Sequence, residues 1–131
     1  MANELIKGNN TLQALLLPGK DQDLLAPLRQ TILLDEVYVA GISHLEDPDI
    51  VLELKAGDPV ILKREKDNAY DELAVILFDA KGRKLGYVPR RKNAVFARLM
   101  DAGKRLSGKV VQLEKRFGYP ELEIAISLED F

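Results

Sequence analysis

The stretch that decides the fold is residues 57–89, which read GDPVILKREKDNAYDELAVILFDAKGRKLGYVP. Residues 60–64 and 83–88 have the apolar and β-branched content typical of strands. Residues 73–78 are apolar throughout, which predicts a central, well-buried strand. We therefore expect three strands of one sheet, with a polar connection at residues 66–72 between the first two.

Similar patterns predict the turn at residues 79–82 and the segments that precede residue 57. Residues 79–82 predict a hairpin turn, because Gly82 can take positive φ. Residues 36–43 predict an earlier strand that is apolar on both faces, and Gly41 within it suggests a bulge or a close backbone approach. Residues 50–54 fit either a short extended segment or a helical turn.

A helix and two more strands are expected after Pro89, which ends the third strand. Asn93 can cap the helix, and Gly103 ends it in the C′ position. Apolar and polar residues alternate over residues 106–113 and 122–128, which predicts two final strands. The apolar face of the helix consists of Val95, Phe96, Leu99 and Met100.

Two leucine-rich clusters precede the first strand, within residues 11–34. The second cluster shows a short helical period after Asp21 or Asp23, so we expect a helical leader that covers one side of the sheet. The chain as a whole then predicts a mainly β domain, a sheet or barrel of about five to six strands with one clear helix between strands.

The composition excludes several classes of function. The chain has no cysteine, which excludes disulfides, thiolate metal sites and cysteine nucleophiles and suits a reducing cytosol. Its single histidine, His44, has no second imidazole with which to share zinc, and no Ser-His-Asp set can be assembled. No apolar stretch is long enough to span a bilayer. We predict a cytoplasmic, non-enzymatic protein without a cofactor or membrane contact.

The charges are divided unevenly along the chain, although the formal net charge is only −2. Residues 1–58 carry four basic and ten acidic side chains, whereas residues 80–116 carry twelve basic and two acidic ones. A basic half of this kind is expected of a protein that binds a polyanion. It is also compatible with an ordinary solvated face of lysines and arginines.

Several short motifs occur in a characteristic order. They are Val39-Ala40-Gly41, Lys63-Arg64-Glu65, Asn68-Ala69-Tyr70-Asp71, Ala74-Val75, Leu85-Gly86-Tyr87-Val88-Pro89-Arg90 and Ala97-Arg98-Leu99-Met100-Asp101-Ala102-Gly103. In this order and spacing they resemble the HIRAN domain family, whose pattern is roughly Arg-Glu, Asn-Pro-Tyr-Asp, Ala-Ile/Val and Gly-Tyr/His-Ile/Val-Pro. The resemblance covers residues 35–128.

The resemblance implies a fold and a ligand. The fold is a small OB-like or SH3-like β-barrel over residues 35–131 with one or two inserted helices, and residues 1–34 form a partly helical leader outside it. The function implied is that of a stand-alone bacterial type of module that binds single-stranded DNA, in particular a free 3′ end, in replication or repair. A helicase or nuclease is the partner that this role suggests.

The resemblance also implies roles for individual side chains. Tyr70 can stack on a base, and Asp71 can accept a hydrogen bond from a terminal sugar hydroxyl. Tyr87 corresponds to a position that faces the ligand, and Asn68 can shape the turn or bond a base edge. Arg90, with Arg91 or Lys92 near it, can hold backbone phosphate. The expected binding residues are His44, Asn68, Tyr70, Asp71, Tyr87, Arg90, Arg91 and Lys92.

Two departures from the family pattern and two alternatives accompany this hypothesis. Ser43 and His44 stand where DNA-binding members place an arginine or aromatic pair, and Ala69 replaces the usual proline. In the first alternative, Asn68 and Asp71 only satisfy a local turn while Tyr70 packs on the barrel. In the second, the protein is an interaction adaptor whose basic face binds an acidic partner.

Overall fold

Six antiparallel strands form one sheet that curls into a half-barrel in the computed structural model, which describes residues 30–130. The order of the strands across the sheet is β1-β6-β5-β2-β3-β4. The strands are β1 (Gln30–Tyr38), β2 (Pro59–Arg64), β3 (Val75–Phe78), β4 (Lys84–Tyr87), β5 (Arg105–Arg116) and β6 (Tyr119–Asp130). The predicted mainly β fold is confirmed.

Three helices accompany the sheet in the described part of the chain. Two are 3-10 helices between β1 and β2, at Ile42–His44 and Pro48–Glu53, and the second begins with its proline at a position where proline is tolerated. The third, α1, spans Asn93–Asp101 and is followed by Gly103 at a φ of 88°, as predicted for its C-terminal end. Within residues 30–130, no helix is long and apolar enough to cross a membrane.

The two ends of the sheet are joined by one bridge between Ala40, just after β1, and Tyr87 of β4. The N–H of Ala40 donates to the carbonyl of Tyr87 at 2.8 Å, and the N–H of Tyr87 donates to the carbonyl of Ala40 at 2.9 Å. Gly86 permits this approach, because a Cβ there would lie 2.3 Å from the carbonyl oxygen of Ala40. Its φ of 145° also disfavours any other residue.

The core lies inside the curled sheet and is built from the alternation of its strands. In β2, Val60 and Leu62 point inward and are buried, while Ile61 and Lys63, which alternate with them, point outward and are exposed. The all-apolar β3 is well buried, as its sequence predicts, and it lies between β2 and β4, one strand from the end of the sheet. The fully buried large side chains are Val37, Val51, Val75, Leu77, Leu85, Val88, Phe96, Leu122, Ile124 and Ile126.

The predictions for the N-terminal side were partly wrong. Residues 30–34, predicted to be helical, instead pair with β6, and the strand predicted at residues 36–43 ends at Tyr38. The edge of β6 offers hydrogen bonds that outweigh a weak local helical preference. Gly41, at a φ of 83°, then turns the chain into the first 3-10 helix. Residues 1–29, which hold the rest of the predicted leader, lie outside the described residues.

Substituting Gly86 tests how much the closure contributes to stability. Gly86→Ala should lower the free energy of unfolding by the backbone cost of about 1–2 kcal/mol and by a further overpacking cost of about 1–3 kcal/mol against Ala40. Gly82→Ala is the control, since Gly82 also has positive φ but a Cβ added there would meet no heavy atom within 4 Å. Urea unfolding of both variants measures the difference, and equal losses would contradict the role of the close approach.

Candidate nucleic-acid interface

The connection between β2 and β3, residues 65–74, is a compact loop held by its own side chains; we call it the Asn68 loop. The Asn68 Oδ1 atom accepts the N–H groups of Tyr70 at 2.8 Å and Asp71 at 3.0 Å. The Asp71 Oδ1 atom accepts the N–H of Leu73 at 2.9 Å. These are the local side-chain-to-backbone bonds that Asn and Asp make in turns, and they fix the loop without regular secondary structure.

Arg64, the last residue of β2, ties the loop to the body of the domain. Its guanidinium donates to the carbonyls of Glu72 and Ala74 at the far end of the loop. It also forms a salt bridge with Asp101 of α1, with 3.0 Å between Nε and Oδ1. The arginine of the Arg-Glu motif therefore has a structural role, and its charge is not directed at solvent.

Tyr70 projects from this loop into solvent. Its side chain is 87% exposed, so the alternative in which Tyr70 packs on the barrel is wrong. The other half of that alternative is correct, because Asn68 and Asp71 do satisfy local amides. The turn is thus a rigid platform that presents one free aromatic ring, which is the arrangement that base stacking needs.

Asp71 is held in place from two sides. Its Oδ2 atom accepts a hydrogen bond from Nδ2 of the buried Asn93 at 2.7 Å and lies 3.9 Å from Nε of Arg90. Burial alone would raise the pKa of this carboxyl, but the hydrogen bonds from Leu73 and Asn93 and the charge of Arg90 hold its pKa below the usual value. Asp71 is therefore an ionised, oriented acceptor.

Glu65 joins the loop to β4. Its Oε1 atom accepts hydrogen bonds from the Tyr87 hydroxyl and from Nδ2 of Asn68, both at 2.7 Å. These two bonds lower the pKa of Glu65, while burial and the bond to Glu65 raise the pKa of Tyr87. The Nζ atom of Lys84 lies 4.7 Å from the centre of the Tyr87 ring. Tyr87 is therefore fixed at both its hydroxyl and its ring face.

These side chains surround two adjoining depressions. The larger, of about 680 Å³, is open and polar, and the smaller, of about 210 Å³, lies over Ala40 and Val88. Both are lined by Asn68, Tyr70, Asp71, Arg90 and Asn93, and the smaller is also lined by Tyr87. The fold thus brings five of the residues expected from the sequence to one place, which we call the Tyr70 pocket.

The other three expected residues do not line the Tyr70 pocket. His44 lines a separate depression with Arg83 and Lys84, so this expected binding residue is not part of the Tyr70 pocket. Lys92 forms a salt bridge with Asp35, with 3.3 Å between Nζ and Oδ2, and Arg91 is exposed outside the lining. Only Arg90 of this basic run turns its side chain to the pocket.

Three residues of the pocket and its support were missed by sequence reasoning. Asn93, predicted to cap α1, is 2% exposed and the cap position is Lys92, which makes no side-chain cap bond. Glu65 lies in the family motif and holds Asn68, a partner that only the loop geometry reveals. Lys66 adds an exposed cation to the rim, 3.6 Å from Asp101.

A metal centre finds no support in residues 30–130. Within that range, no group of three His, Asp or Glu side chains lies close enough together to hold a metal ion.

The Tyr70 pocket combines an aromatic ring, an amide, an ionised carboxylate and a guanidinium. These groups can stack, accept a hydrogen bond and pair with a phosphate, which is a set suited to recognition of a nucleotide.

Comparisons with known proteins agree with the motifs. The HIRAN domain family model matches residues 34–129. A crystal structure of a protein from Lactobacillus plantarum superposes with a TM-score of 0.69 at 34% identity, covering 79% of this chain and 99% of that one. The HIRAN domain of human HLTF has a TM-score of 0.62 at 16% identity, covering 76% of this chain and 79% of that one, a likeness of fold. No curated protein matches the sequence.

The hydrogen bonds of Asp71 predict a pH-dependent contribution to stability. Because its pKa is lower in the folded than in the unfolded chain, the ionised group stabilises the fold above its ordinary pKa of about 3.9. That stabilisation is lost as the pH falls through the folded-state pKa. Urea unfolding should therefore show Asp71→Asn destabilised at neutral pH, with the difference from wild type shrinking in acid.

Asp67 is the matched control for this measurement, since it is an exposed carboxylate in the same loop. Asp67→Asn should change the free energy of unfolding little at any pH. A difference between wild type and Asp71→Asn that stays constant from neutral pH to about pH 2 would contradict the assigned role of the Asp71 charge.

Proposed function

Because the chain belongs to the HIRAN domain family, whose members are nucleic-acid-binding modules, we propose that its Tyr70 pocket binds single-stranded DNA and prefers a free 3′ end. The domain acts by binding rather than by catalysis. The observation that carries the proposal is the pairing of a solvent-exposed Tyr70 with the oriented Asp71 and Arg90 in one pocket. Replication or repair, alongside a helicase or nuclease, is the setting proposed for this activity.

Tyr70 supplies the contact with a base. The ring lies at the rim of the pocket, and the loop beneath it is fixed by the bonds of Asn68, so little conformational entropy is lost on binding. Stacking on an aromatic side chain contributes about 1–3 kcal/mol per base and is tolerant of sequence. This contact favours unpaired bases, because a base within a duplex is already stacked.

Asp71 supplies the preference for an end. Each of its carboxylate oxygens accepts one hydrogen bond, from Leu73 or Asn93, and each has about two lone-pair sites, so one further donor can be accommodated. A terminal 3′ hydroxyl is such a donor. An internal linkage carries a phosphate at that oxygen, which has no proton to donate and is repelled by the carboxylate.

Arg90 supplies the contact with phosphate. Its side chain is 77% exposed, and its Nε atom is 3.9 Å from Asp71, so most of its five donors are available. An arginine can bond two phosphate oxygens at once. Placing Arg90 beside Asp71 allows a terminal hydroxyl and the adjacent phosphate of the same nucleotide to meet opposite partners.

The role of Tyr70 is tested by removing its ring. Tyr70→Ala should weaken binding of a short labelled single-stranded oligonucleotide by about 1–3 kcal/mol while leaving the free energy of unfolding nearly unchanged, because the side chain is exposed. Tyr70→Phe keeps the ring and should bind like wild type. Leu33→Ala, at an exposed position on β1, controls for loss of surface area. Unchanged binding by Tyr70→Ala would remove stacking from the proposal.

The preference for an end is tested with oligonucleotides that have a free or a blocked 3′ hydroxyl, at two salt concentrations. The oligonucleotide with the free end should bind more tightly at both salt concentrations, since the hydrogen bond to Asp71 depends little on screening. Asp71→Asn should reduce the difference in affinity between the free and the blocked oligonucleotide. Equal affinity for both ends would contradict the end preference and leave phosphate contacts alone. Failure of both to bind at low salt would remove the nucleic-acid proposal itself.

A further inference from the structure

The outer face of the half-barrel carries three lysines around two apolar side chains. On β2 these are Ile61 and Lys63, on β3 Phe78, on β4 Lys84 and on β5 Lys109. We call these five residues the lysine face. Ile61 is 44% exposed and the three lysines are exposed, so this surface is open to solvent over four adjacent strands.

The register of the strands places these side chains side by side. Ile61 pairs with Phe78, and Phe78 pairs in turn with Lys84, so three neighbouring strands contribute to one row. The Nζ atom of Lys63 lies over the Phe78 ring, 5.4 Å from its centre. Lys109 pairs with Pro59, about 13 Å from Lys63 along β2 at the usual rise of about 3.3 Å per residue.

None of the three lysines of this face forms a salt bridge with a carboxylate of residues 30–130. The outward positions of β2, β3 and β4 in the described structure hold lysine, isoleucine, proline or aromatic residues and no carboxylate. This differs from other cations of the chain, since Arg64, Arg83 and Lys92 each form a salt bridge with an acidic residue. Lys84 does act on Glu65, just after β2, because its charge helps to lower the pKa of that carboxyl. A polyanion that binds here still meets positive charge without breaking an ion pair.

Tyr87 connects the lysine face to the Tyr70 pocket. It pairs with Ile76 on the outer side of β3 and β4, its ring lies under Lys84, and it also lines the pocket. A DNA strand whose 3′ end occupies the pocket can therefore pass Tyr87 as it leaves the pocket and meet Lys84 first. The apolar surface of Ile61 and Phe78 lies next, between Lys84 and the other two lysines.

We propose that the lysine face is a second nucleic-acid subsite, which binds the phosphates of the strand that extends from the Tyr70 pocket. This inference rests on the proposed function of that pocket and adds to it a path for the bound strand. The lysines neutralise successive phosphates, and Ile61 and Phe78 contact sugars or unpaired bases between them. Longer strands should therefore bind more tightly than short ones.

The test compares two lengths of labelled oligothymidine, about 4 and about 16 nucleotides, by fluorescence anisotropy over a range of salt concentrations. The variant Lys63→Gln/Lys109→Gln removes two charges that are not in the pocket. With the long strand, the slope of log K against log salt should become shallower by about 1.4, since each phosphate contact on a single strand contributes about 0.7. Binding of the short strand should be unchanged.

The matched control is Lys55→Gln/Lys104→Gln, which removes the same charge from exposed positions outside the face. It should leave the slope for the long strand within error of wild type. Urea titration of the two double variants checks that their free energies of unfolding are equal. If the face variant and the control change the slope equally, net charge explains the effect and the subsite is overturned.

Three further outcomes separate this inference from the proposals before it. If wild type binds the short strand but gains nothing from length, the lysine face is overturned while the pocket stands. If neither length binds, the proposals for the Tyr70 pocket and for the lysine face are both overturned. If the face variant keeps its affinity for the long strand and instead loses affinity for polyglutamate, the face binds an acidic protein segment and not a nucleic acid, which also overturns the inference.

Discussion

The close approach of Ala40 and Tyr87 is the constraint on which the site depends. Two backbone hydrogen bonds join the ends of an otherwise open sheet, and they form only because Gly86 has no side chain. The same bridge positions Tyr87, whose hydroxyl reaches Glu65 and whose ring borders the pocket. A backbone contact with no chemistry of its own thus sets the distance between the Asn68 loop and β4.

The Asn68 loop shows how a polar segment becomes a rigid platform. Glu65 holds the amide of Asn68, Asn68 holds two backbone N–H groups, and Asn93 holds Asp71. Among the described residues, no buried side-chain polar atom lacks a hydrogen-bond partner, so this network is complete. Once the polar groups of the loop are satisfied internally, the Tyr70 ring and the free donors of Arg90 face solvent, which is preorganisation for a ligand.

Sequence reasoning succeeded where a local pattern has one physical solution. The strand at β2, the apolar run of β3 and the turn at Asp79 were predicted, and the structure contains all three. It failed for residues 30–34, because their helical or extended form depends on the distant edge of β6. It failed for Asn93 because the same residue type suits a helix cap and a buried partner of Asp71, and spacing along the chain does not distinguish them.

The sequence by itself determined the family, the mainly β fold and the identity of Asn68, Tyr70, Asp71, Tyr87 and Arg90 as residues worth examining. Only the tertiary structure decided which of the expected residues meet. His44 lines a different depression, and Lys92 forms a salt bridge with Asp35. The distribution of charge over the surface also depends on the fold. The sequence gives the number of cations in residues 80–116. The folded sheet determines that some of them pair with nearby carboxylates, while Lys84 and Lys109 share one open face with Lys63.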